Sequence, residues 1–447
     1  MKTFLSCCKN STKRASLIVI ICLAANFTYA QFPNQHLDNF WEICRLNDHY
    51  YDSLINIYGI DSIEESGYTL FERWKHEWQP IIPPDGSMIE AMLKKQEIQN
   101  NADAFNESHR NSMYSSDWKE LGPSSTPGTG TTDMGDVGRL ATVYIDPADT
   151  KSIFVGSPLG GLFFSHDGGA KFQNGGTDNI RFPNGVCSIV ITTIEAAKYW
   201  FIATGNKDNN FSYSGGIYRS TNEGKDWVRI SNGFPSLTDN ALYRINKLIA
   251  HPTDPNIMIA AVTCNSNNCE IGGIYITNNA LADEPVWIKV KGGQYYDLEF
   301  RPDPDNIYSE ERLYASADVN EYNNFSSEQF PLLMYTDNLG ENWTSINLED
   351  ILPTIPPPTC PLRISVETTI AAPDNLYIYL VYGVSDGHSA GTGHGKFARL
   401  VSGSALDTLS SVTSVMPGWD GFAVSPLNTN IMYYGGVILR LNDFAKS

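Results

Sequence analysis

The chain has 447 residues, and its 50 acidic against 31 basic side chains give a formal net charge of −19. Gripping a phosphate backbone requires clustered Lys and Arg that release counterions, so no nucleic-acid partner is expected. The acidity mainly keeps a domain soluble; a local basic pocket for an acidic glycan remains compatible with it.

Residues 1–30 read as an export signal, with Lys2, Lys9, Lys13 and Arg14 ahead of the apolar run Leu17 to Ala25 and a small-residue site at Thr28-Tyr29-Ala30. The mature chain is therefore expected to begin at Gln31 and to be secreted or held at the cell surface. Cys22 lies inside the apolar run, not just after a cleavage site, which argues against a lipid anchor. No later stretch approaches the roughly 20 apolar residues of a membrane helix, so the mature chain is not expected to span a membrane. Beyond the signal, Cys44, Cys187, Cys264, Cys269 and Cys360 remain in an oxidising compartment. Cys264 and Cys269 flank a short loop-like stretch and form a possible disulfide. No CxxC, HExxH or EF-hand spacing occurs, so neither a metal nor another cofactor is expected.

Residues 31–112 form a helical segment and linker. Leu37, Phe40, Trp41, Cys44 and Leu46, then Tyr51, Leu54 and Ile55, recur near helical spacing. The pattern breaks around Trp74 to Trp78 and Pro83-Pro84, then resumes from Met88 to Arg110 as a polar helix or linker. No activity is assigned to this segment.

From residue 113 to 447 the chain becomes short β-rich runs punctuated by Gly, Asn, Asp and Pro, and it repeats. Gly160-Gly-Leu-Phe-Phe-Ser165-His-Asp167-Gly-Gly169-Ala-Lys-Phe172 aligns with Gly215-Gly-Ile-Tyr-Arg-Ser220-Thr-Asn222-Glu-Gly224-Lys-Asp-Trp227. Thr277-Asn-Asn279 with a late Trp287, Thr336-Asp-Asn338-Leu-Gly340-Glu-Asn-Trp343, and Arg440-Leu-Asn442 continue the series, with a degenerate copy expected near Leu400. The spacing, roughly 55–60 residues, suits one four-stranded sheet per repeat. Strands ending in Pro147, Pro252, Pro302, Pro373 and Pro426 supply the first strand of successive units. In the recurring turn the Asp or Asn accepts backbone N–H groups and the Gly takes positive φ, while the aromatic is expected to tuck beneath the hairpin. Asp167, Asn222, Asn338 and Asn442 are thus fold devices, and Asp167 is not read as a catalytic acid.

These residues resemble the Asp-box (BNR-repeat) β-propellers, the group containing sialidases, xyloglucanase-type glycoside hydrolases and sortilin-like receptors. The resemblance covers about residues 117 to 447 and implies an all-β propeller of four-stranded blades, six expected, preceded by a small α-helical segment. The last repeat has no fourth strand of its own, and Trp118-Lys-Glu-Leu121 resembles the fourth strands that begin at Trp227, Trp287 and Trp343. The N-terminal strand is expected to complete the C-terminal blade and close the ring, the alternative being a chain cut short from a longer propeller.

The links between second and third strands gather on one face of such blades, and ligands are expected there. Ligand-binding candidates are Asn206, Asp208, Tyr213, Asp318, Tyr322, Asp386 and His388, with Tyr295 and Tyr296 as further stacking rings. No catalytic residue is assigned. In xyloglucanase-type propellers a catalytic Asp lies two residues before a Gly-Gly of this kind, and Pro158 stands there. Sialidases use an Arg-Ile-Pro-like start, from which Gly138-Arg139-Leu140-Ala141 departs. No Gly-x-Ser-x-Gly elbow occurs either. The expectation is an exported, non-catalytic propeller that binds an extracellular glycan or protein through its loop-rich face. The alternatives are a diverged glycoside hydrolase using two carboxylates, and a structural module of a larger surface assembly.

Overall fold

A computed structural model describes residues 39–60, 68–109, 139–180, 184–194, 197–207, 213–234, 243–264, 270–308, 311–317, 332–348, 362–383, 393–401, 406–415 and 421–434. Three helices come first: α1 (Phe40–Tyr58), α2 (Tyr68–Trp78) and α3 (Met88–His109). Asn39 caps α1, its Oδ1 accepting the N–H groups of Trp41 and Glu42. Phe40, Tyr51, Phe71 and Trp74 pack as an aromatic cluster between α1 and α2, with ring centroids 5.1 to 6.1 Å apart.

The remainder is antiparallel sheet. Sheet 1 comprises β1 (Thr142–Ile145), β2 (Ile153–Ser157), β3 (Gly161–Ser165) and β4 (Gln173–Asn174); sheet 2 comprises β5 (Val186–Ile194), β6 (Ala197–Thr204), β7 (Ile217–Ser220) and β8 (Val228–Arg229). Sheet 3 holds β9 (Tyr243–Ala250), β10 (Met258–Cys264), β11 (Gly273–Thr277) and β12 (Ile288–Gly292). Sheet 4 holds β13 (Tyr295–Phe300), β14 (Leu313–Ala317), β15 (Leu333–Thr336) and β16 (Thr344–Ser345). Sheet 5 holds β17 (Leu362–Glu367), β18 (Asn375–Gly383), β19 (Gly393–Val401) and β20 (Leu406–Val415), and β21 (Phe422–Val424) pairs with β22 (Met432–Tyr434). In each four-stranded sheet the spatial order is the chain order. This is the blade architecture of a β-propeller, with a small helical segment before it. The expected closing strand at Trp118 and the final copy around Asn442 lie outside the described residues.

The chain divides into two compact units, one of residues 89–265 and 269–298, the other of residues 1–88, 266–268 and 299–447. In the first unit, Phe154, Leu162 and Phe164 of sheet 1 interleave with Val186, Ile189, Ile191 and Trp200 of sheet 2. Phe201, Ile217 and Cys187 of sheet 2 likewise meet Tyr243, Ile245, Met258 and Tyr275 of sheet 3. Middle strands such as β10 are buried on both faces, which is why Met258 to Cys264 reads as one apolar run without alternation. In the second unit Tyr314 and Leu333 pack on Ile364, Leu376 and Ile378, and Tyr377 packs on Val424 and Met432.

Buried polar side chains tie neighbouring sheets together. Ser188 Oγ donates to Leu248 O at 3.2 Å and accepts the Leu248 N–H at 2.9 Å. Ser316 Oγ donates to Ile364 O at 2.6 Å, and Thr369 Oγ1 to Ser425 O at 3.0 Å. Each bond crosses between neighbouring sheets of one unit, fixing their register where hydrophobic packing alone would let them slide.

Candidate functional site

Chain-order sheets divide their links between two ends: first-to-second and third-to-fourth links leave at one end, second-to-third links and passages to the next sheet at the other. The first end is locked locally. Ser165 Oγ donates to Asp167 Oδ1 at 2.7 Å and accepts the Gly169 N–H at 2.9 Å, while Asp167 Oδ1 accepts the Lys171 N–H at 3.0 Å. Ser220, Asn222, Gly224 and the Asp226 N–H repeat the arrangement, as do Thr336, Asn338, Gly340 and the Asn342 N–H. Gly224 has φ 79°, and a Cβ there would lie 2.5 Å from Gly175 O, so no other residue fits. The Lys171 N–H, then the Ser165 hydroxyl, hold the Asp167 carboxyl below its ordinary range. A carboxylate held ionised in this way is suited to accepting hydrogen bonds and unsuited to donating a proton.

Two expectations about this turn change. Phe172 is 47% exposed and is not tucked under its hairpin. The tryptophans do more than brace their own turns: Trp227 Nε1 donates to Gly175 O at 2.8 Å and Trp287 Nε1 to Ile230 O at 2.7 Å, each latching onto the end of the preceding sheet. Trp343 Nε1 finds no acceptor among the described residues. The third copy carries extra residues between Asn279 and Trp287, and Arg219 of sheet 2 holds them through Ala280 O at 2.8 Å and Ala282 O at 2.7 Å. The first-to-second links are pinned similarly, by Asp146, His251, Asp303 and Thr369 accepting backbone N–H groups. In sheet 1, Ser152 Oγ donates to Asp149 Oδ2 and lies 2.8 Å from His166 Nδ1. The buried serine stands between acid and histidine, the wrong order for a nucleophile activated by a base.

The other end, within the first unit, has a different chemistry. The link after β6 is anchored at its base: the Gly205 N–H donates to Gly185 O at 2.8 Å, the Ser214 N–H to Tyr243 O at 2.9 Å, and Thr204 Oγ1 to Gly216 O at 2.9 Å. Asn206 and Tyr213, at 5% and 4% exposure, belong to this anchor, so the Tyr213 ring does not offer the open stacking face expected of it. Tyr295 and Tyr296 are buried too. Lys207, next along the chain after Asn206, is half-buried, its Nζ 5.0 Å from the centre of the Tyr296 ring. Beside it, burial pushes the Cys187 thiol up to about 12, with the Lys207 charge opposing.

The next link begins at Cys264, whose N–H donates to Gln294 Oε1 at 2.8 Å while Gln294 Nε2 reaches Cys264 Sγ at 3.2 Å. Cys264 is disulfide-bonded; Cys269, the partner expected from sequence, lies outside the described residues. Asn246 Nδ2 donates to Thr263 Oγ1 and to Tyr295 O, and Arg244 is buried on the same strand. Burial pushes the Tyr243 phenol up to about 12, against the pull of Arg229. Asp297, in β13, is paired with Lys247 at 3.0 Å. At this end the amides of Asn246 and Gln294 are buried and spent on bracing the base, and the half-buried Lys207 is the cation that the base carries toward the link.

Asp208, Asp318, Tyr322, Asp386 and His388 lie outside the described residues. Lys207, Gln294, Asn246 and Arg244 were not singled out by sequence. The signal available for the last two was a polar residue at alternate positions of an otherwise apolar strand, Tyr243 to Ala250.

No family model matches the chain, and no curated protein matches it. Among solved structures, an ancestral GH74 enzyme aligns at 16% identity with a TM-score of 0.44, covering 71% of this chain and 36% of that one. This chain thus spans about a third of that enzyme's length. YCF48 from Cyanidioschyzon merolae aligns at 10% identity and TM-score 0.34, covering 68% and 95% of the two chains. A computationally designed protein, Ika8, aligns at 8% identity and TM-score 0.36, covering 67% and 81%. The first two are β-propellers. Likenesses this slight say nothing of activity, ligand or partner.

Proposed function

We propose that the chain is an exported, non-catalytic propeller of the Asp-box kind that binds an extracellular glycan or protein through the end bearing the links after β6 and β10. The observation that supports this most is the asymmetry of the two ends. At the turn end the side chains capable of recognition are spent on their own backbone, as at Asp167, Asn222 and Asn338. At the link end a base braced by Gln294 carries the half-buried cation Lys207. A rigid scaffold presenting varied links is the usual construction of a recognition surface.

Mature protein applied to glycan and peptide arrays should bind a restricted set of ligands, and incubation with β-glucan and xyloglucan panels should release no reducing sugar. Sugar release abolished by one Asp→Asn substitution would replace this reading with that of a glycoside hydrolase. Failure to bind anything on either array would leave a structural module.

A further inference from the structure

The fourth strands of sheets 2 and 3 carry the same device. Arg229 stands two residues after Trp227 and opposite Tyr218, and Lys289 two residues after Trp287 and opposite Tyr275. Each side chain lies along the glycine pair that opens the third strand: a Cβ on Gly216 would come 2.9 Å from Arg229 Nε, and one on Gly273 would come 2.8 Å from Lys289 Cδ. The glycines thus leave room for a cation to reach back to the end of the preceding link. Arg229 Nε donates to Gly215 O at 2.8 Å, closing the link after β6, and Lys289 Nζ donates to the backbone carbonyl of Glu270, closing the link after β10. Sheets 1 and 4 have Asn174 and Ser345 at the same place.

The two sheets adjoin at this rim, where Asn232 pairs with Val286 and accepts the Trp287 N–H at 2.8 Å. Both cations are exposed. Neither is ion-paired with a carboxylate among the described residues, whereas Lys198, Lys247 and Arg312 are. On a chain of formal charge −19, two positioned and unneutralised cations make a local field opposite in sign to the whole.

We propose that Arg229 and Lys289 bind the ligand of the link end, and that this ligand is an acidic polysaccharide with carboxylates along its chain, a polyuronate. The proposal rests on the reading that recognition belongs to that end. The guanidinium spends its Nε on Gly215 O and keeps further N–H donors for a carboxylate, as does the Lys289 ammonium. Exposed cations each bind weakly, so a ligand gains most by engaging both at once. Neighbouring sheets stand about 10 Å or more apart, a gap that a stiff sugar chain with repeated charges spans without the ordering cost a flexible acidic peptide incurs. A peptide strand also lacks an edge to join, since β8 has 2 residues and β12 is lined by Lys289 and Lys291.

Biolayer interferometry of the full mature chain against polygalacturonate, neutral dextran and poly-L-glutamate tests this. Polygalacturonate should bind best, and more weakly as salt is raised. Arg229→Gln and Lys289→Gln should each weaken it at least fivefold, and together more than either alone, with far-UV circular dichroism unchanged; Lys289→Gln keeps the test open should Arg229→Gln fail to fold. Lys225→Gln, an exposed cation on the turn of sheet 2, should leave binding unaltered. Polygalacturonate binding indifferent to both glutamine substitutions, or matched by poly-L-glutamate, would overturn the proposal. If polygalacturonate does not bind while another ligand binds and is lost on Lys207→Glu, the proposal falls and recognition at the link end stands. A ligand indifferent to Lys207→Glu and to both glutamine variants would overturn both readings.

Discussion

Replacing Trp227 and Trp343, one at a time, by Phe separates the hydrogen bond of the latch from its packing. The two tryptophans occupy the same place in their repeats and are both half-buried. They differ in one bond: Trp227 Nε1 donates to Gly175 O at 2.8 Å, and Trp343 Nε1 has no acceptor among the described residues. Losing a bond to a carbonyl costs about 1 kcal/mol, whereas removing a buried donor without a partner costs nothing and relieves a desolvation penalty. Trp227→Phe should therefore be less stable than Trp343→Phe by about 1 kcal/mol or somewhat more. Trp287→Phe, which removes a fully buried indole bonded to Ile230 O at 2.7 Å, should cost more than either. Urea unfolding followed by far-UV circular dichroism reads this as a shift in midpoint at constant slope. Equal losses for Trp227→Phe and Trp343→Phe would show that the indole N–H contributes nothing and that the latch is packing alone.

Ser188→Ala leaves the buried Leu248 N–H without an acceptor and should cost about 1–3 kcal/mol by the same urea measurement. Arg219→Met should free the long turn after Asn279, seen as faster amide exchange at Ala280 to Val286 with little change in sheet 1. Asp167→Asn should be nearly neutral at pH 7, because asparagine already fills this role at Asn222 and Asn338. The carboxyl of Asp167 is held below its ordinary value, so its stabilising contribution is present above about pH 4 and is lost as pH falls through the folded-state value. The Asn variant should accordingly lose less stability than the wild type in acid denaturation below about pH 4, and a large loss at pH 7 would refute the role.

The repeat made the sheets legible. Apolar runs ending at Pro147, Pro252 and Pro302, followed by Ser165, Thr277 and Thr336 with their Asp or Asn, locate strand ends through local turn chemistry that any sequence window contains. What joins one sheet to the next was not legible, because it depends on pairs such as Ser188 with Leu248, or Trp287 with Ile230, that lie far apart in the chain. A lone Ser in a buried strand, or Arg219 in Ile217 to Ser220, carries no local mark of its partner. The candidate site was half legible. Sequence marked the link after β6 as a place for recognition, but Tyr213 read as an exposed ring is a buried brace, while the neighbouring Lys207 stands over Tyr296. Orientation about a strand end depends on which neighbouring backbone it meets, here Tyr243 O at Ser214 N.

The claim that recognition belongs to the link end is tested most directly by one paired affinity measurement on the ligand that the arrays identify. Lys207→Glu and Lys171→Glu change the charge equally within one compact unit, the first beside the link base after β6, the second on the turn between Asp167 and Phe172. Surface plasmon resonance should show affinity reduced at least tenfold by Lys207→Glu and unaltered by Lys171→Glu. Equal effects, or loss confined to Lys171→Glu, would place recognition elsewhere and contradict the account.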